Sequence, residues 1–418
     1  MRMYFSEVRK KVFSPDFQNN LWTLTAAAAG ATFVTLMVLV TVRFVGLIEA
    51  GILSFAAAVT GLIQTLVIFG VRVHQATDIK QEFTLNTYLG LRICSSLLAI
   101  IVIYVFLIVG NIEMNYVKVI MSFFFIYLTD GFADVFMGDL QQKGKMRIAG
   151  RIRVCSFVLG FIMFTISLYA VRVINISLVV AGITVFVSYI SCIWLYRKHF
   201  NRVRVRFDIK SIRKLSTTAL PTVMFSFMFY YLYNTPKYFL GFLCSEKSVA
   251  ITSMLIMPTT LLALVSTTLF MGAEMTKTAE ILASGGLAVM KKRINLQLLV
   301  AIGLSITFIL CVFLVGIPLL SIFYGVDLSE FRYEFKLLAL GAASFPVIWS
   351  LAAAIVVLRM QKMNLVCTII ITVFSTPILW VLISRYSLVG AALTNLIVFV
   401  PFTILSYFVY IAGLRKAR

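Results

Sequence analysis

Residues 69–92, FGVRVHQATDIKQEFTLNTYLGLR, place charged and hydrogen-bonding side chains between two long apolar segments, residues 50–71 and 88–109. Each flanking segment has about 20 residues, the length of an α-helix that crosses the hydrocarbon core of a bilayer. Both segments are continuously apolar instead of alternating, which fits membrane helices and not barrel strands. The sequence around this stretch therefore predicts two membrane helices joined by a polar segment.

The rest of the chain repeats this pattern. Of its 418 residues, 61% are hydrophobic and 13% are charged, against about 25% charged in a typical soluble domain. The apolar blocks predict twelve spans at residues 21–42, 50–71, 88–109, 116–138, 154–171, 173–196, 215–240, 248–273, 294–323, 337–358, 363–383 and 386–412. The expected fold class is an all-α polytopic membrane protein.

The formal net charge of +21 is distributed asymmetrically between the two sides of the membrane. If the amino terminus is cytoplasmic, 28 of the 37 Lys and Arg residues lie in inner segments, 8 lie in outer segments and Arg92 lies within a span. Cytoplasmic loops carry such an excess, so both termini are expected in the cytoplasm. The basic residues then contact anionic membrane lipids, and a nucleic-acid partner is not expected.

The twelve spans predict four segments. Residues 1–20 form a basic amphipathic leader that stays attached, residues 21–196 form an N-lobe of six spans, residues 197–214 form a basic cytoplasmic linker, and residues 215–418 form a C-lobe of six spans. Six spans per lobe give both lobes the same orientation, as in transporters built from parallel repeats. The external loops are short, which argues against an external catalytic domain, and we expect no catalytic residues. The six cysteines are scattered without the spacing of metal ligands, so we expect no metal site. No cofactor is expected.

Polar groups within or beside apolar spans are the candidates for function, because each costs free energy in the membrane. In the opening stretch these are Arg72, Gln75, Asp78, Tyr88 and Arg92. Arg72 and Arg92 could bind a pyrophosphate through charge-assisted, bidentate hydrogen bonds. Alternatively, Arg92 could fasten the loop to Asp78, with Arg72 serving only as an orientation charge.

Asp130 and Asp134 are four residues apart in the fourth span, so on a helix they share one face. Two neighbouring carboxylates could bind a proton or a sodium ion that drives transport, and Asp78 is a third candidate for such ion coupling. Alternatively, Lys143, Lys145 and Arg147 near the inner surface could neutralise the pair.

The seventh span combines Asn234 and Lys237 with four tyrosines and two prolines. Prolines permit a bend that exposes backbone groups to a cavity. Lys237 could therefore be a cation that lines a cavity, with Asn234 beside it. A lysine and tyrosines near a helix end are equally typical of an anchor at the membrane interface.

Several stretches resemble the polysaccharide-transport branch of the multidrug/oligosaccharidyl-lipid/polysaccharide (MOP) flippase superfamily, the Wzx-like O-antigen and capsule-repeat flippases. They are spread over nearly the whole chain: VTVRFVGLIEAGILSFAAAVTGLIQTLVIFGVRVHQATDI, YLGLR, GDLQQKGKMRIAGR, LPTVMF, NTPKYFLG, IPLLSIFYGVDLSEFRYEF and SLVGAALTNLI. The resemblance implies a V-shaped, MATE-like transporter of twelve helices, in which two six-helix lobes surround a cationic cavity. The first span carries no buried cation, which departs from the family pattern and leaves Arg43 as the nearest candidate.

The expected function is therefore a flippase of the bacterial cytoplasmic membrane that moves a polyprenyl-pyrophosphate-linked oligosaccharide by alternating access, for surface polysaccharide synthesis. H+ or Na+ could drive it, and other polysaccharide-assembly proteins could be partners. The closest alternative is a MATE-like multidrug antiporter, which should depend on membrane carboxylates rather than on arginines. A membrane glycan polymerase or acyltransferase would need clustered His and Asp or Glu residues, which the sequence does not suggest.

Overall fold

The structure, a computed structural model, describes residues 15–78, 82–200, 208–271 and 273–417. Within these ranges the regular secondary structure is helical and includes no strand. The α-helices of the described residues are α1 (Pro15–Phe44), α2 (Leu47–Ile68), α3 (Val71–Thr77), α4 (Leu85–Val109), α5 (Met114–Gln142), α6 (Met146–Val171), α7 (Ile174–Leu195), α8 (Ile209–Leu243), α9 (Glu246–Phe270), α10 (Ala273–Cys311), α11 (Ile317–Tyr324), α12 (Arg332–Ala342), α13 (Phe345–Val357), α14 (Gln361–Ala392) and α15 (Thr394–Lys416).

Twelve helical segments of the described chain are long and apolar enough to cross a membrane, which confirms the predicted fold class. Two of them are composite. The ninth joins α10 to α11 through a π-helix at Val312–Gly316, and the tenth joins α12 to α13. A helix satisfies its own backbone hydrogen bonds, which is why these apolar sequences fold as helices in lipid.

Several spans contain residues that interrupt regular helical geometry. Prolines lie inside α9, α14 and α15, at Pro258, Pro377 and Pro401. Backbone angles also leave the helical region within α10 and α14, at Gly286 and Ser387. Missing hydrogen bonds at prolines and non-helical angles at single residues are common causes of helix kinks.

The contacts divide the described chain into two compact units. Unit 1 takes the residues up to Phe44 and Ala56–Phe227, and unit 2 takes Val45–Phe55 and the residues from Met228 onward. The predicted lobes follow whole spans, whereas this division falls within α2 and α8, and the lobe boundaries stay a prediction. Of the predicted leader, residues 1–14 lie outside the described residues, as do residues 201–207 of the predicted linker.

Helix α5 forms the centre of unit 1 and contacts α3, α4, α6 and α7. Two of its glycines permit close approach: a Cβ at Gly131 would collide with the Val67 side chain of α2, and one at Gly138 would collide with Gln75 of α3. Asp134 lies between these glycines in sequence, and Asp130 directly precedes Gly131. The close approach of α2 and α3 therefore brings polar residues of both helices to the buried carboxylates.

Candidate functional site

Arg72 reaches α5 because the chain turns sharply between α2 and α3. Phe69 and Gly70 both have positive φ, 46° and 61°, and Gly70 precedes the first residue of α3. Arg72 Nη1 then lies 3.0 Å from Asp134 Oδ1, and its Nε donates a hydrogen bond to Gln141 Oε1 at 3.2 Å. About a quarter of the Arg72 side chain stays exposed, so this cation is held in place and still accessible.

Arg92 approaches the same carboxylate from α4. Its Nη2 lies 3.4 Å from Asp134 Oδ2, while Nη1 donates to the carbonyl oxygen of Val67 near the end of α2. Ser95 Oγ donates to the same carbonyl at 2.9 Å. Arg92 is fully buried, which is exceptional for arginine and requires such pairing. Asp134 thus pairs with two guanidinium groups.

Asp130 has a separate set of partners. Arg153 Nη2 of α6 lies 2.9 Å from Oδ2, the Tyr189 hydroxyl of α7 donates to Oδ1 at 2.7 Å, and Gln64 Nε2 of α2 donates at 3.2 Å. Neither Arg153 nor Tyr189 was a candidate from sequence. The predicted fifth span begins at residue 154, whereas α6 begins at Met146, so Arg153 lies about two turns inside the helix.

The arginine–aspartate cluster consists of Arg72, Arg92, Arg153, Asp130 and Asp134, with three cationic groups against two carboxylates. Its aspartates are buried and each is paired with at least one arginine.

Asp130 and Asp134 are paired with arginines of the cluster and not with Lys143, Lys145 or Arg147, the alternative raised by the sequence. Two of the basic residues that follow α5 have other partners: Lys143 Nζ lies 2.6 Å from Asp139 Oδ2, and Lys145 Nζ lies 3.1 Å from His199 Nδ1. The described residues contain no group of His, Cys, Asp or Glu that could hold a metal ion.

Asp78 closes the loop after α3 instead of pairing with Arg92. It accepts hydrogen bonds from the backbone N–H groups of Glu82 and Phe83, both at 2.9 Å, and from the Tyr88 hydroxyl at 3.1 Å. Desolvation by itself would raise the pKa of Asp78, but these three bonds together lower it below its usual range. Tyr88 and Gln75 are fully buried, so both pack within unit 1 in this conformation.

The candidates of the seventh span lie in α8, within unit 2. Asn234 is buried and its Nδ2 donates to the Tyr230 carbonyl at 3.2 Å. Lys237 is half-buried and forms no ion pair with any described residue. Arg43 lies in the last turn of α1 and is exposed. The structure therefore brings Arg72, Arg92, Asp130 and Asp134 together in unit 1 and places Asn234 and Lys237 in unit 2.

Comparisons with solved structures identify transporters of the same fold. A multidrug resistance MATE family transporter of the MOP superfamily in its inward-facing conformation has a TM-score of 0.67 at 14% identity, covering 93% of this chain and 94% of that one. The eukaryotic MATE transporter AtDTX14 gives 0.64 at 15% identity, covering 96% and 97%. The Vibrio cholerae MATE transporter VcmN in the bent form gives 0.61 at 13% identity, covering 96% of each chain. These likenesses show the fold.

A search of curated proteins finds no match. A family model described as polysaccharide biosynthesis protein matches residues 17–274, which is well over half of the chain. The match includes the arginine–aspartate cluster and both candidates of α8. The chain belongs to this polysaccharide biosynthesis family, and with it to the MOP flippase superfamily that the sequence motifs resemble.

Proposed function

We propose that the protein is a flippase that carries a polyprenyl-pyrophosphate-linked oligosaccharide from the inner to the outer leaflet of the bacterial cytoplasmic membrane. It acts by alternating access and supplies the assembly of a surface polysaccharide such as O-antigen, capsule or exopolysaccharide. The family match and the transporter fold support the general class. The charges in the spans support the choice of cargo.

The cargo requires a polar path, because a sugar chain and a pyrophosphate cannot enter hydrocarbon unpaired without a cost of many kcal/mol. The polyprenyl tail can stay in lipid during the movement. The head group needs hydrogen-bond donors and positive charge along its route. Arginine provides both, and its planar guanidinium matches phosphate oxygens in a bidentate geometry.

The ion pairs that Asp130 and Asp134 form with arginines are the main support for this proposal. Both carboxylates that a cation-binding transporter would use are paired with arginines in this conformation, and the cluster still has one more arginine than aspartate. Lys237 adds a cation in unit 2 that lacks a carboxylate partner among the described residues. Both units thus supply positive charge, which favours an anionic cargo over a cationic drug.

Arg72 is the first contact in this mechanism because its side chain is partly exposed and lies on a short helix at the end of α2. Asp134 holds both Arg72 and Arg92, so a phosphate can replace the carboxylate at Arg72 while Arg92 keeps Asp134 paired. Lys237 then offers a second cationic position, with Asn234 beside it on α8. Tyr88, Gln75 and Asp78 support the short helix α3 that carries Arg72, and exposed Arg43 has the least support as a contact.

The second candidate function is a MATE-like, ion-coupled antiporter of cationic compounds. Two buried carboxylates one turn apart on α5 favour it, as does the likeness to MATE transporters. Protonation of Asp130 or Asp134 would release an arginine and could drive a conformational change. The same proton or sodium coupling is also compatible with a flippase, so the cargo is what separates the two functions.

Whole cells can separate these functions. In a strain that lacks the gene, we expect the lipid-linked oligosaccharide to accumulate in the inner leaflet and the surface polysaccharide to be lost. The wild-type gene should restore the polysaccharide without changing resistance to lipophilic cations. Normal polysaccharide in the deletion strain, together with increased sensitivity to such cations, would favour the antiporter.

A further inference from the structure

Beside the arginine–aspartate cluster, unit 1 contains a cavity of about 110 Å³ bordered by α1, α3, α5 and α6. Its charged lining residues are Arg72 and Arg153, Thr23 adds a hydroxyl group, and the other lining residues are apolar or small. This volume is several times what a single water molecule needs, so a group of several heavy atoms can fit. The cavity and all its lining residues belong to one unit.

The two arginines that line the cavity retain unused hydrogen-bond donors. Arg72 uses Nη1 and Nε for Asp134 and Gln141, and Arg153 uses Nη2 for Asp130. Arg72 Nη2 and Arg153 Nη1 donate no hydrogen bond to a described residue, and Arg153 Nε is buried without a partner. Because the aspartates are one turn apart on α5, they hold both guanidinium groups at the same cavity.

The electrostatics of the cavity favour an anion. The adjoining cluster has three arginines against two aspartates, so one positive charge remains uncompensated. The first turns of α6 also line the cavity, at Met146, Ala149 and Gly150. The amino-terminal end of a long helix carries partial positive charge and is a common binding place for phosphate.

We propose that Arg72 and Arg153 together bind one phosphoryl group of the polyprenyl-pyrophosphate head group in this cavity. The inference rests on the proposed flippase function and adds Arg153 as a substrate-contacting residue. Arg92 then has a different role, because it is fully buried and is not among the residues that line the cavity. An anionic phospholipid head group offers the same phosphate chemistry, so the test must separate the two sources.

The test is equilibrium binding of radiolabelled polyprenyl pyrophosphate to the full-length protein in detergent, where no ion gradient exists. Arg153→Gln should weaken binding at least about tenfold, the effect of losing a charge-assisted hydrogen bond. Arg153→Gln alone leaves Asp130 without its arginine, so the double variant Arg153→Gln/Asp130→Asn is also needed. Arg151→Gln is the matched control, because Arg151 of α6 contacts Trp22 and does not line the cavity.

The double variant separates phosphate binding from a structural ion pair. If Arg153 binds phosphate, the double variant stays at least about tenfold weaker than wild type, whereas Arg151→Gln binds normally. If Arg153 only neutralises Asp130, the double variant regains wild-type binding and the inference is wrong. Unlabelled inorganic pyrophosphate should compete with the probe, and phosphatidylglycerol should not. Competition by phosphatidylglycerol alone would assign the cavity to membrane lipid and overturn the inference.

Measuring transport by the wild-type protein in vesicles tests the flippase function separately from the phosphate site. A wild type that binds polyprenyl pyrophosphate through Arg153 but moves no sugar lipid would refute the flippase function and leave the phosphate site standing. A wild type that moves the sugar lipid, with equal transport and equal binding by Arg153→Gln, would refute the site and leave the function standing.

Discussion

Among single residues, Asp134 joins the arginine–aspartate cluster, because its two carboxylate oxygens pair with Arg72 and Arg92. Arg72, Arg92, Asp130 and Asp134 stand out because charge within an apolar span is costly. The contact between Arg92 and Asp134, 42 positions apart, depends on the packing of α4 against α5. Arg153 was missed because it adjoins a basic segment, and the predicted span begins at residue 154, eight residues after the start of α6 at Met146.

Asp134→Asn should destabilise the protein strongly. The change leaves buried Arg92 without its carboxylate partner among the described residues, and breaking a buried ion pair from one side costs about 3–5 kcal/mol. Thermal unfolding in detergent measures the effect as a lowered Tm. Lys214→Ala is the control, because the Lys214–Glu82 pair is more than half exposed and such pairs contribute less than about 1 kcal/mol. Equal Tm values for both variants would contradict the pairing.

Asp78→Asn should loosen the loop between α3 and α4. The lowered pKa of Asp78 means that its ionised form stabilises the fold above the usual pKa of Asp, and that this contribution is lost as the pH falls through the lowered value. The variant removes this stabilisation at neutral pH as well. Hydrogen exchange at the Glu82 and Phe83 amides should therefore become faster. Unchanged exchange at both amides would rule out the Asp78 hydrogen bonds.

At the scale of helices, the spans were predictable and their ends were not. Continuous apolar blocks indicate where helices cross the membrane. The polar turns that extend α6 back to Met146 and α8 back to Ile209 carry no hydropathy signal. The start of α8 is held by Asp208, whose carboxylate accepts hydrogen bonds from the Lys210 N–H and the Ser211 hydroxyl. Close contacts between helices were also not predictable from the sequence. For example, a Cβ at Gly150 of α6 would collide with the Trp22 carbonyl oxygen of α1.

Gly150→Ala should separate α1 from α6 and destabilise unit 1 by about 1–3 kcal/mol, the usual cost of overpacking. Gly303→Ala is the matched control. Gly303 lies in α10 with no atom within 4 Å of an added Cβ, and alanine is the better helix former by about 0.5–1 kcal/mol. Opposite shifts in Tm are expected for the two variants. A Gly150→Ala protein as stable as wild type would show that α1 and α6 pack less closely.

At the scale of the whole molecule, the even number of spans and the charge asymmetry give a prediction of orientation. Both termini should face the cytoplasm, because 28 of the 37 Lys and Arg residues then fall on the inner side. A reporter active only in the cytoplasm should work when fused at Arg418, and one active only outside should work when inserted after Val109. If the reporter that is active only outside worked at Arg418, the predicted orientation would be wrong.

Transport in reconstituted vesicles shows whether the cationic groups of the spans serve an anionic lipid-linked sugar. Fluorescent polyprenyl-pyrophosphate-linked oligosaccharide is placed in one leaflet, and its appearance in the other is followed with and without purified protein. We expect the protein to accelerate this movement and to leave the flux of a lipophilic cation unchanged. Accelerated cation flux together with no effect on the sugar lipid would contradict the account and identify an antiporter.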